Sequence, residues 1–140
     1  MGKILSIDFG LARIGVAISD ENKRMALPLT TVPGGKTIES SVSNVLHQLS
    51  DTLQNVEKIV VGLPLNMNGT EGEMALLARQ FGTLLEEKAG IEVAYFDERL
   101  TSTAAHKELK GVKTSRKKRT SKVDQIAATM ILQSFLDAKQ

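Results

Sequence analysis

The first third of the chain alternates apolar with small or polar residues at the period of two that a β-strand requires. Residues 3–9 (Ile4, Leu5, Ile7, Phe9), 14–19 (Ile14, Val16, Ile18) and 25–32 are predicted as three consecutive antiparallel strands, with turns at Gly10 and at Asp20-Glu21-Asn22-Lys23. Pro28 has no N–H for a ladder, which puts the third strand at a sheet edge or gives it a bulge. Pro33-Gly34-Gly35 breaks the chain, and the period then changes. Ile38, Val42, Val45, Leu46, Leu49 and Leu53 fall at helical spacing and predict a helix over 37–54. Residues 58–63 form a short continuous apolar run, the pattern of a strand buried on both faces. Thr70 and Glu73 have the spacing of a capping box. They precede a second helix, 71–89, which Gly90 stops. A strand over 91–96, a short helix over 101–109 and a last helix over 122–138 complete the order.

Two strand–helix–strand crossovers follow the antiparallel front, so the central strands must run parallel. The expectation is a single α/β domain, 1–140, of RNase H-like architecture: a five-stranded mixed sheet flanked by helices.

Acidic residues fall at telling places in this frame. Asp8 lies at the end of the first strand, Asp97 and Glu98 follow the fifth, and Asp124 sits in the first turn of the last helix. Ligands of an open α/β sheet bind beyond the carboxyl ends of its parallel strands. Ala128, Ile131 and Phe135 share the helical face of Asp124, so this acid heads a face that otherwise packs on the sheet. Each acid also has a plain reading. Asp8 suits a turn beside Gly10, Asp97 and Arg99 suit a surface ion pair, and Asp124 complements a helix dipole. Together, three carboxylates at one sheet edge repel one another without a cation, and hard oxygen donors select Mg²⁺ or Mn²⁺. One or two such ions suit phosphodiester cleavage without a histidine base. His47 and His106 have no partner at metal spacing.

Composition sharpens the picture. The chain has 140 residues and no cysteine, which excludes disulfides and thiolate metal sites. No apolar run approaches the roughly 20 residues of a membrane span. An acid after five strand-like residues does not fit a signal peptide, and the expected location is the cytoplasm. The net charge of +2 is unevenly placed. Lys110, Lys113, Arg116, Lys117, Lys118, Arg119 and Lys122 form a basic run with no acid, leaving eleven basic residues against sixteen acids elsewhere. An acidic body with one basic segment suits a nucleic-acid partner, although the same run also suits a solvated loop. Only 4% of residues are aromatic, which favours backbone and shape recognition over base stacking.

Four segments in order, Asp8-Phe9-Gly10-Leu11-Ala12-Arg13-Ile14-Gly15-Val16-Ala17, Val61-Gly62-Leu63-Pro64-Leu65-Asn66-Met67-Asn68-Gly69-Thr70, Asp97-Glu98-Arg99-Leu100-Thr101-Ser102 and Lys122-Val123-Asp124-Gln125-Ile126-Ala127-Ala128, resemble the YqgF family. This family, also called RuvX, is related to the RuvC Holliday-junction resolvase. The resemblance spans essentially the whole chain. It implies an RNase H-like fold and a metal-dependent endonuclease that processes the 5′ end of precursor 16S ribosomal RNA. It also implies catalytic and metal-binding roles for Asp8, Glu98 and Asp124. RuvC-like and RNase H enzymes carry the second acid on the fourth strand, whereas here residues 59–63 carry none. Whether Asp97 or Glu98 faces the metal stays open; Glu98 is favoured because Asp97 can bond to the backbone and start a turn. Arg13, Asn66, Asn68, Arg99, Arg116, Lys117, Lys118 and Arg119 are the candidate contacts to nucleic acid. Structural alternatives exist for several: Asn68-Gly69 makes a turn and Arg13 can snorkel.

The competing activities are a resolvase-like endonuclease of branched DNA, a nucleotide-binding module resembling half of an actin-type ATPase, and an RNA-binding protein that does not use its acids. The expected partner is structured RNA, with branched DNA as the alternative, and the expected state is a monomer or weak homodimer.

Overall fold

The computed structural model describes residues 2–101 and 121–139. Five strands, β1 (Lys3–Asp8), β2 (Arg13–Ser19), β3 (Ala26–Pro33), β4 (Val56–Leu63) and β5 (Glu92–Asp97), form one sheet in the order β3-β2-β1-β4-β5. The β1–β2 and β2–β3 pairs are antiparallel; β1–β4 and β4–β5 are parallel. This is the mixed sheet expected from the sequence. β3 is an edge strand, and its register shifts between Val16↔Thr30 and Ala17↔Pro28, leaving Leu29 as the extra residue. Pro28 therefore sits at both an edge and a bulge, where its missing N–H costs no ladder bond.

The strand alternation divides the core in two. Leu5 and Ile7 of β1, Ile14 and Val16 of β2 and Val61 of β4 face α1 (Ile38–Gln48) and α3 (Glu73–Ala89). Ile4, Ala17 and Val60 face the last helix, α4 (Ser121–Ala138), through Ala128, Ile131, Leu132 and Phe135. α4 lies across β1, β2 and β3. No described helix is long and apolar enough to cross a membrane.

Two local expectations are corrected. The helix expected over 37–54 is broken at Leu49 into α1 and the single turn α2 (Ser50–Leu53). Leu49 is buried, so its apolar spacing continues through a break that periodicity cannot see. The capping box at Thr70 and Glu73 does not form. α3 starts from Gly72 without a side-chain cap, because the Thr70 hydroxyl is engaged by Asn66 and Asn68. A capping box forms instead between Thr37 and Ser40 at the start of α1. The short helix expected over 101–109 lies outside the described residues, except for Thr101.

Candidate active site

Asp8 closes β1 on the face that carries α4. Ile4 packs under that helix, the Ser6 hydroxyl donates to the carbonyl of Ala128 at 2.7 Å, and Asp8 follows in the same alternation. Side chains on this face are small, and that lets the helix come close. Gly15, paired with Asp8 across the β1–β2 ladder, lies directly beneath Asp124. A Cβ there would collide with the Asp124 backbone carbonyl and stand 3.1 Å from the Asp124 Cβ. Asp124 is thereby buried, its side chain only 3% exposed.

The third acid arrives from the other side. β5 ends at Asp97, and a 3-10 turn, Glu98–Leu100, carries Glu98 back over β4. A Cβ on Gly62 would meet Ile131 Cδ1 at 2.6 Å and Glu98 Oε2 at 3.0 Å. Glu98 and α4 therefore cover the same glycine. Since Ile7 pairs with Val61, Gly62 stands beside Asp8. Asp124 above β2, Asp8 on β1 and Glu98 above β4 thus occupy three adjacent strands, each about 5 Å from the next, on one face and at one sheet edge.

Asp97 has a different task. Its carboxylate accepts from the Arg99 backbone N–H at 2.9 Å, from Nε at 3.0 Å and from Nη2 at 2.6 Å. The side-chain bonds from Arg99, reinforced by the backbone bond, hold the Asp97 carboxyl below the usual carboxylate range. Arg99 Nη1 also donates to the Met67 carbonyl at 3.3 Å, pinning the β4–α3 loop to the end of β5. Asn66 and Asn68 work inside that loop. Asn68 Oδ1 accepts from the Thr70 backbone N–H at 3.1 Å and from its hydroxyl at 2.7 Å, and Asn66 Nδ2 donates to the same hydroxyl at 2.9 Å.

Arg13 opens β2 and places its Nε 2.9 Å from Asp124 Oδ2. The candidate contacts Arg13, Asn66, Asn68 and Arg99 consequently all have partners within the protein, around the acidic edge. Arg116, Lys117, Lys118 and Arg119 lie outside the described residues. His47 is exposed on α1, on the opposite side of the sheet, and His106 lies outside the described residues.

Ser6, Gly15 and Gln125 escaped the sequence reading as parts of the site. Gln125 Nε2 donates to the Thr31 hydroxyl at 3.3 Å and ties the first turn of α4 to β3. The signal for Ser6 and Gly15 was present as small residues at the alternate positions that face α4.

The donor set suits a hard divalent cation in kind, three carboxylates without sulfur or imidazole, and in place, since all three acids share one face. It is not drawn up into a cage: among the described residues no three such groups stand together as a ready metal site. Among the described residues, the Arg13 guanidinium stands beside Asp124 as a cation.

The model of a family described as RuvX, Holliday junction resolvase, matches residues 2–138. A protein of Protochlamydia amoebophila named "Putative pre-16S rRNA nuclease" is 42% identical over 141 residues, covering 98% of this chain and 94% of its own length. Proteins of the same name from Heliobacterium modesticaldum and Chloroflexus aurantiacus are 45% and 39% identical; each match covers 98% of this chain, with 90% and 88% of theirs. Among solved structures, T. thermophilus RuvC in complex with a Holliday junction substrate superposes with a TM-score of 0.60. It is 14% identical and covers 99% of this chain and 96% of its own, so the likeness is one of RNase H-like fold. With the family model spanning almost every residue and full-length relatives at this identity, the chain belongs to the RuvX family.

Proposed function

We propose that this chain is a cytoplasmic, divalent-metal-dependent endonuclease that cuts structured RNA, with the 5′ region of precursor 16S ribosomal RNA as its substrate. In this reading the whole chain acts as one catalytic domain. The observation that carries it is the placement of Asp8, Glu98 and Asp124 on the α4 face of three adjacent strands, with Gly15 beneath Asp124 and Gly62 beneath Glu98. The names of the full-length relatives supply the substrate class.

Asp8, Glu98 and Asp124 are the residues that would hold one or two Mg²⁺ or Mn²⁺ ions. The chemistry such ions supply when bound is activation of a water and stabilisation of the leaving oxygen. The protein's own part is placement. Asp8 lies on β1, between the strands that lie beneath the other two acids. Ser6 and Gly15 seat α4 so that Asp124 overhangs the strand ends. Arg99 fixes Asp97 and the β4–α3 loop, leaving the adjacent Glu98 turned to the α4 face. The basic run through Arg116–Arg119 supplies the charge to hold a phosphate backbone.

Cleavage of branched DNA is the second reading, favoured by the resolvase description of the family model. Incubating the purified protein with precursor 16S RNA and with a four-way DNA junction, each with Mg²⁺, Mn²⁺ or EDTA, decides between them. Metal-dependent cuts near the mature 5′ end of the RNA are expected. Cuts in the junction alone would transfer the activity to DNA, and no cuts in either would leave a binding protein.

A further inference from the structure

Two arginine–aspartate pairs stand at the acidic edge, and they are built differently. Arg99 grips Asp97 with aligned bonds from its backbone N–H, Nε and Nη2. Arg13 Nε approaches Asp124 Oδ2 to 2.9 Å, but its N–H is not aligned for a hydrogen bond. The first pair is a directional fork; the second is held by charge. The partners also differ in exposure: the Arg13 side chain is 37% exposed, whereas that of Asp124 is 3% exposed.

A carboxylate this deeply buried needs a cation beside it, and Asp124 stands on the same face and at the same end of the sheet as Asp8 and Glu98. We propose that Arg13 is a resident counter-cation that holds the place of a divalent ion at Asp124 and is displaced when the ion binds. This inference rests on the metal-site reading above and adds a residue to it. Guanidinium and divalent ion cannot share one carboxylate oxygen without strong repulsion, so loading the site drives Arg13 away. Its exposed side gives it a path outward, across the sheet edge, where a phosphate of the substrate offers the replacement anion. Arg13 therefore couples occupation of the metal site to the grip on substrate: a loaded site presents a free guanidinium, and an empty one keeps it folded in.

Calorimetric titration with Mn²⁺ tests the idea without measuring cleavage. Removing the competing cation in Arg13→Gln should tighten Mn²⁺ binding about tenfold or more, from the coupling of close charge pairs. Arg13→Lys, which keeps the charge, should stay near wild type, as should Arg79→Gln, which alters an ion pair between α3 and Glu71 in the loop before it. Equal or weaker binding in Arg13→Gln overturns the proposal. Should Arg13→Gln fail to fold, the wild-type protein labelled with ¹⁵N-arginine serves instead. The Arg13 Nε–H signal should shift and exchange faster with water as Mg²⁺ saturates the site; a signal unchanged at saturation overturns the proposal. Absence of Mn²⁺ binding in every protein, or binding that survives in Asp8→Asn and Asp124→Asn, overturns both this inference and the metal-site reading. Binding that is lost in those two variants but indifferent to Arg13 overturns this inference alone.

Discussion

Gly15 lies against Asp124 so closely that no other residue fits beneath it: a Cβ would run into the Asp124 carbonyl. The obstacle is helix backbone, which cannot swing aside. Gly15→Ala should therefore push the N-terminal turn of α4 off the sheet. The cost expected for overpacking is about 1–3 kcal/mol, seen as a fall in melting temperature of roughly 3–10 °C. A variant that melts like wild type would show that α4 does not bear on β2 as described.

Gly62 makes a useful contrast. Its neighbours are side-chain ends, Ile131 Cδ1 at 2.6 Å and Glu98 Oε2 at 3.0 Å, and these can rotate away. Gly62→Ala should destabilise at the low end of about 1–3 kcal/mol yet displace Glu98 from its position over Gly62. Loss of cleavage out of proportion to loss of stability is the expected result. Melting curves and single-turnover rates on the same preparations check it.

Replacing one acid tests the site more directly. Asp8→Asn keeps the shape and removes a charge at the centre of the three acids. Cleavage should drop at least about 100-fold, since even outer contacts to a metal site are worth 10- to 100-fold, while the circular dichroism spectrum stays native. Near-normal turnover in Asp8→Asn, in any divalent metal, would remove the basis for the catalytic assignment.

Much of this arrangement was legible in the chain. The phase of Asp124 with Ala128, Ile131 and Phe135 shows that this acid heads a buried face, because helical spacing is a local property. Pro28 marked the edge and bulge for the same reason. What the sequence hid depends on competition or on distance. Thr70 satisfies the spacing rule for a cap, but Asn66 and Asn68 offer its hydroxyl nearer partners. The approach of Arg13 to Asp124 arises where β2 meets α4, and no spacing along the chain encodes that meeting. The structural role of Asp97 was half readable: Asp97 does bond to the backbone as expected, and the grip of Arg99 adds the rest.

The Asp97–Arg99 pair makes a pH prediction. Asp97 is held below its ordinary value of about 4 chiefly by the side-chain bonds from Arg99. The native state thus binds this proton less readily than the unfolded chain. Its contribution is complete above the unfolded value and is lost as pH falls through the depressed native one. Asp97→Asn should melt lower than wild type at pH 7, with the gap closing toward pH 3 and below. A gap independent of pH would mean that the carboxylate charge does not hold the turn.

The basic run makes a prediction that is independent of the acids. If Arg116, Lys117, Lys118 and Arg119 contact phosphates, each contact releases condensed counterions when substrate binds. Every such contact adds about 0.7 to 0.9 to the steepness of log affinity against log salt concentration, the lower value for single strands and the higher for duplex. Changing all four to alanine should flatten that slope by about 3 to 4 and weaken binding at low salt most. Sequence preference should not change, because phosphate contacts carry no base information. Binding isotherms on precursor 16S RNA at several salt concentrations, with the catalytically silent Asp8→Asn background to prevent cutting, give the slope directly. An unchanged slope would assign the run to solvation and shift the search for the phosphate grip to Arg13 and the other cations at the acidic edge.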